Sequence, residues 1–283
     1  MVSAEPNAAM ASPPDPLALD PAAVVSGAPA PTGRPIENPA WNGWDVLAVV
    51  GLALGTIFVS QLAILFGAHY LLYPHAKLTD LAQMPILLLI SQFVIDGAVV
   101  AYLVLLVEGK YHQPFWRAIR WNWPRSMWAM VVLGAATYIV LAMLGSLLPM
   151  PKSTPFDNLF QNRRDAFLLA IIATTLGPLM EELFFRGFFY PVVAKRWGAG
   201  WGILLSALPF ALMHMQQYGY SWGILLVIFG VGLVCGIIRA VTGSVAASFL
   251  VHVGYNGAQM LLAIFVTRGF TRMPKGLLEY FSG

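Results

Sequence analysis

The chain has 283 residues, of which 58% are hydrophobic and only 10% charged, with a formal net charge of +3. Soluble domains carry about a quarter charged residues, so this composition excludes a water-soluble globular protein and leaves a membrane protein. The small net charge identifies no partner, and the placement of the charges is more informative.

In chain order, residues 1–40 come first, a stretch rich in Pro and Ala with no apolar periodicity. Such a segment cannot bury enough apolar surface to offset its ordering entropy, so a disordered N-terminal tail is expected. It lacks the basic start and apolar run of a signal peptide, and the first helix is expected to act as its own insertion signal. Residues 41–283 read as one transmembrane domain. Apolar runs of roughly 20 residues, enough to cross a hydrocarbon core, predict helices near 44–72, 83–107, 127–148, 166–192, 200–215, 222–241 and 245–267. That makes seven spans, or eight if the long fourth one splits at Pro178. The expected fold is an all-α, polytopic transmembrane helical bundle.

The tryptophans Trp41, Trp44, Trp116, Trp121, Trp123, Trp128, Trp197, Trp201 and Trp222 all fall at predicted helix ends or in loops, where an amphipathic ring suits the headgroup region. "GLALG" at Gly51–Gly55 and "GLVCG" at Gly232–Gly236 have the spacing that lets helices approach closely. The loop 108–126 interleaves Lys110, Arg117, Arg120 and Arg125 with aromatics, the pattern of a segment lying on an anionic bilayer face and not of a nucleic-acid site. By the positive-inside rule this loop is cytoplasmic, with the N-terminus and Lys195–Arg196, and a cell (plasma) membrane location is expected. Arg163, Arg164, Arg268, Arg272 and Lys275 then lie outside. The lone Cys235 excludes an intrachain disulfide and any multi-cysteine metal cluster.

Few ionisable groups remain within the spans: Asp96, Glu181, Glu182, Arg186, His214, Arg239 and His252. An acidic or basic side chain at the bilayer centre costs about 2.5–3.5 kcal/mol or more, which makes each a functional candidate. On a helix Glu182 and Arg186 are four apart and share a face, so they can pair, whereas Glu181 is rotated by about 100°. One carboxylate is then neutralised by an arginine that cannot shed its charge, and Glu181 is left as the candidate general base. His214 follows Phe210 by one turn, and Asn256 follows His252 by one turn. A helical bundle can bring such side chains together from separate helices. Asp96 is expected to be structural, paired with Arg239 or with a backbone group. Phe184, Phe185, Phe188 and Phe189 either line a groove for an apolar peptide or, as the default, pack against lipid and neighbouring helices.

Three motifs carry a resemblance. "EELFFR", "FALMH" and "HVGYN" match, in order and spacing, the EExxxR, FxxxH and HxxxN motifs of the CPBP family. These are the CAAX proteases and bacteriocin-processing (Abi) enzymes, which include the type II CAAX prenyl endopeptidases. The resemblance covers about residues 166–260, the family's four-helix catalytic core. It implies an intramembrane glutamic endopeptidase in which Glu181 and His214 activate water, His252 and Asn256 hold the oxyanion, and Glu182, Arg186 and Phe210 support the site. No cofactor is implied, and the partners are the bilayer and a protein or peptide substrate. The family name points to prenylated C-terminal CaaX tails, with peptide processing, bacteriocin maturation or immunity equally open. Two rivals stand beside this reading. One is a zinc-dependent intramembrane protease using Glu181, His214 and His252, since two imidazoles and a carboxylate are good zinc ligands, although no HExxH helix is present. The other is a non-catalytic scaffold or transporter whose polar residues line a pathway or hold a partner.

Overall fold

In a computed structural model of the chain, the described residues are 37–160 and 162–271, and they contain helices and no strand. The helices are α1 (Gly43–Leu71), the short α2 (Leu78–Leu81), α3 (Pro85–Val104), the short α4 (Phe115–Ala118), α5 (Met127–Gly145), α6 (Arg163–Thr174), α7 (Leu176–Glu182), α8 (Tyr190–Trp197), α9 (Ala199–Leu212), α10 (Trp222–Thr242) and α11 (Val245–Val266). A π turn, Leu105–Lys110, extends α3, and a second, Leu183–Phe189, joins α7 to α8. Among the described residues, six stretches are long and apolar enough to cross a membrane: Gly43–Leu71, Pro85–Lys110, Met127–Gly145, Arg163–Trp197, Trp222–Thr242 and Val245–Val266. The sides of α1 and α5 are studded with exposed Leu54, Phe58, Val59, Val132, Ile139 and Met143, as a lipid-facing surface requires.

The fifth expected span is α9, with only 14 residues. At 1.5 Å per residue it is about 21 Å long, short of the ~30 Å hydrocarbon core. Its C-terminal end passes at Met213 into a turn that carries His214. The fourth expected span does not split into two crossings. It is one 35-residue stretch with two irregularities, each next to a proline. Pro178 has no N–H and crowds the carbonyl four residues back, and the helix breaks at Thr175, whose ψ is −70° and φ −119°. Pro191 does the same to Gly187, and the chain answers with the π turn Leu183–Phe189. Both breaks flank the two glutamates.

Residues 1–36, most of the expected tail, lie outside the described residues, as do Arg272 and Lys275. The last part of that tail is packed against the bundle. Glu37 is buried, and Trp41 is 2% exposed. The Trp41 ring stacks on Phe188 at 5.0 Å, and its indole N–H donates to the Phe188 carbonyl at 2.8 Å. Trp41 is thus a core residue and not an interfacial ring. Trp44, Trp116, Trp123, Trp128, Trp197, Trp201 and Trp222 are exposed.

Helix contacts also differ from expectation. Gly232 packs on Ala207 and Phe210, and Gly236 on Ile203, so "GLVCG" does bring α10 onto α9. Gly51 and Gly55 face open space, and "GLALG" makes no close contact among the described residues. Among the described glycines the tightest contacts lie elsewhere, between α5 and α11. A Cβ built on Gly134 falls 2.0 Å from the Val251 carbonyl oxygen, and one on Gly254 falls 2.1 Å from that of Val131. This contact fixes α11, the helix that carries His252 and Asn256. Gly134→Ala and Gly254→Ala should each force the helices apart and lower stability by about 1–3 kcal/mol, the usual scale of overpacking. Gly51→Ala should leave stability unchanged or raise it, since Ala is the better helix former. Thermal unfolding in detergent checks this, and equal melting of all three variants would contradict the packing assignment.

Candidate active site

Glu182 closes α7 and is completely buried. Its Oε1 lies 3.0 Å from Arg186 Nη1 and 3.0 Å from His252 Nδ1. Its Oε2 accepts a 2.5 Å hydrogen bond from Ser248 Oγ. Three groups from two parts of the chain thus hold one carboxylate. Arg186 is equally buried. Its Nη2 donates to the Gly232 carbonyl at 2.9 Å, and its guanidinium lies 4.6 Å over the Phe210 ring. The Nη1 contact with Glu182 is an ion pair by distance without aligned hydrogen-bond geometry, and Nε has no acceptor among the described residues. The aromatic face of Phe210 compensates for part of that. The i,i+4 pair read from the sequence is present.

Glu181, the next residue back, points elsewhere. Its Oε1 is 3.7 Å from His214 Nε2 and its Oε2 is 3.6 Å from His252 Nε2. These distances exceed direct hydrogen bonds and suit a small bridging group. Its side chain is 20% exposed, against 0% for Glu182, because it faces a chamber of about 1380 Å³. His214, His252 and Asn256 line the same chamber, with apolar walls that include Phe184, Phe189 and Ile224. Phe185 is buried and also touches the chamber, whereas Phe188 is buried away from it. The four phenylalanines therefore divide between packing and lining.

The imidazoles are oriented by their Nδ1 atoms. His214 Nδ1 is 2.8 Å from the Phe210 carbonyl oxygen, which can only accept, so Nδ1 carries the proton. His252 Nδ1 faces the Glu182 carboxylate, again an acceptor. In a neutral ring, each Nε2 then presents a lone pair toward Glu181. Phe210 meets His252 edge to face at 5.7 Å, so it touches both histidines and the arginine.

Asn256 departs from the simplest expectation. Its amide donates at 2.7 Å to the Ala173 carbonyl, next to the break between α6 and α7. One of its two N–H groups is thereby committed to holding α11 against that break, and only the other can serve the chamber. Asp96 does not pair with Arg239. It accepts from Gln92 one turn back at 2.8 Å and lines the chamber. Arg239 pairs with Glu37 at 2.7 Å. His69, His75 and His112 lie away from the chamber.

Ser248 is the site residue that sequence reasoning missed. It lies four residues before His252, which lies four before Asn256, and this polar stripe at helical spacing was the available signal. Glu182, Cys235 and His252 offer donor atoms within 4.8 Å of one another. A metal there would have to displace Arg186 from a carboxylate that is already saturated, so this trio does not suit a cation.

A comparison with family models matches residues 163–258 to the Rce1-like type II CAAX prenyl endopeptidases. No curated protein and no solved structure matches the chain. The matched segment runs from the start of α6 into α11 and contains EELFFR, FALMH and HVGYN. Residues 163–258 are thus similar to the CAAX prenyl endopeptidases, within a chain whose apolar helices make it a multi-pass membrane protein.

Proposed function

We propose that the chain hydrolyses a peptide bond within the membrane with water activated by Glu181 and His214. The observation that carries this reading is the convergence of Glu181 with the Nε2 atoms of His214 and His252 at 3.6–3.7 Å on one chamber wall. A water between Glu181 and His214 can donate one proton to the carboxylate and the other to the imidazole lone pair, leaving its own lone pair for the scissile carbonyl carbon. As the C–O bond forms, Glu181 takes the proton, and the carbonyl oxygen becomes an oxyanion. His252 donates to it through Nε2–H in the doubly protonated ring, for which Glu182 is the counter-ion, and Asn256 donates through its second amide N–H. Collapse breaks the C–N bond, and the proton on Glu181 passes to the leaving amine. Glu182, Arg186, Ser248 and Phe210 hold the imidazoles and touch no reacting atom.

The mostly apolar chamber suits a substrate with a hydrophobic or lipid-bearing segment beside the scissile bond, in accord with a prenylated C-terminal tail. We place the N-terminus on the cytoplasmic side of the plasma membrane. The basic loop 108–126 and the Lys195–Arg196 turn lie at the same end of the bundle as residues 37–42: Arg120 reaches Glu37 and Lys195 reaches the Pro39 carbonyl.

One observation favours a second reading, in which zinc is held by Glu181, His214 and His252. Both Nδ1 atoms face acceptors, so both Nε2 lone pairs face the Glu181 carboxylate. However, ligand atoms of the three do not all come within 4.8 Å of one another, so these side chains would have to close in to hold zinc. Zinc would lower the pKa of its bound water to about 7.

Glu181→Gln keeps the shape and removes the proton acceptor, and it should reduce kcat by about 10²–10⁴-fold with an unchanged melting temperature. Wild-type turnover by that variant would move the base elsewhere. On the metal-free reading, activity should survive prolonged chelation and purified protein should contain no stoichiometric zinc. Loss of activity restored by one zinc per chain would establish the second reading. Asn256→Ala should lower kcat by about 10²–10³ with little change in KM. A raised KM with intact kcat would make Asn256 a substrate-binding residue instead.

A further inference from the structure

The π turn Leu183–Phe189 is gripped from outside by the residues that precede the first span. The Arg186 carbonyl accepts from Arg239 Nε at 3.2 Å, and the Phe188 carbonyl accepts from the Trp41 indole at 2.8 Å. Arg239 is 1% exposed and sits beside the Tyr190 ring. Its other two nitrogens fork onto Glu37, Nη1 to Oε1 at 2.7 Å and Nη2 to Oε2 at 3.2 Å. Arg120 adds a third contact to Glu37 at 3.3 Å, and Lys195 donates to the Pro39 carbonyl at 3.3 Å. A bidentate guanidinium–carboxylate pair constrains orientation as well as distance. Its far end here is the backbone of the residue whose side chain holds Glu182. A continuous run of contacts therefore leads from Glu37 through Arg239 and Arg186 to Glu182, His252 and Glu181.

We propose that residues 37–41 are a positioning clasp for the active site: through Arg239 and the Trp41 indole they set the π turn, and with it the aim of Arg186, Glu182 and His252. The catalytic consequence rests on the hydrolytic function proposed above. A π turn is a rare irregularity within α-helices, and here two of its carbonyls are held by side chains from outside it. Neither Glu37 nor Trp41 lines the chamber, so the effect of their loss must pass through the π turn, whose Phe184 and Phe189 also wall the chamber. Misplacement from a distance can lower rate up to about a hundredfold.

The test uses the full chain in detergent, with Glu37→Gln, which keeps the shape, and Trp41→Phe, which keeps an aromatic ring and removes the N–H donor. Two readouts are taken. Amide hydrogen exchange of residues 183–190 should rise in both variants while α5 and α11 exchange as in wild type, and this readout does not depend on activity. Cleavage of a quenched fluorescent farnesylated CaaX peptide should show kcat lowered about tenfold or more, and by a larger factor than KM changes, at a temperature where both variants remain folded. Unchanged exchange in 183–190, or raised exchange with wild-type kcat, overturns the clasp. Failure of the function proposed above would look different: the wild type would not cleave, or Glu181→Gln would cleave as well as wild type.

Discussion

The structure depends on one constraint, the full burial of the Glu182 carboxylate. A carboxylate taken out of water needs compensating charge and hydrogen bonds on both oxygens. Here Arg186 and His252 share Oε1, and Ser248 takes Oε2. Removing one partner from a buried pair typically costs about 3–5 kcal/mol, so these groups stand or fall together. The contacts tie α7 and the following π turn to α11. They fix the ring of His252, and they occupy Arg186 so that Glu181 keeps no arginine partner among the described residues. The division between a glutamate that holds the site and a glutamate facing the chamber follows from that single saturated carboxylate.

The backbone around the pair is shaped by two prolines. Pro178 and Pro191 interrupt the α-register on either side of the glutamates, and the resulting break and π turn give polar groups local backbone acceptors. Asn256 meets the Ala173 carbonyl at the first irregularity, and Arg239 and Trp41 meet carbonyls at the second. Irregular backbone in a membrane is tolerated where it is buried in protein or lines a cavity, and here it does both. The short α9 completes the arrangement by ending beside His214 at the depth of Glu181.

Much of this was legible because the chemistry repeats at helical spacing. Glu182 and Arg186, Phe210 and His214, and His252 and Asn256 are each one turn apart, and each pair shares a face as read. The helix positions were legible because lipid demands long apolar runs. What stayed hidden involves contacts between residues distant in sequence. Trp41 meets Phe188 and Glu37 meets Arg239 across most of the chain, and a tryptophan near a helix end reads as an interfacial ring. Gly134 belongs to no small-xxx-small pair, yet with Gly254 it makes the tightest of the glycine contacts, whereas Gly51 and Gly55 have that spacing and face open space. Spacing within a helix does not say which neighbour it meets. Asp96 was assigned a partner that Glu37 already holds.

The central claim is that Glu182 and Arg186 form one inseparable buried unit that leaves Glu181 facing the chamber. A double-mutant cycle on stability tests it most directly, comparing Glu182→Gln, Arg186→Met and the double variant by unfolding in detergent. The account predicts that each single change is strongly destabilising because it strands a buried charge, and that the double variant is no worse than the more damaging single one. Additive losses, or single variants as stable as wild type, would contradict it.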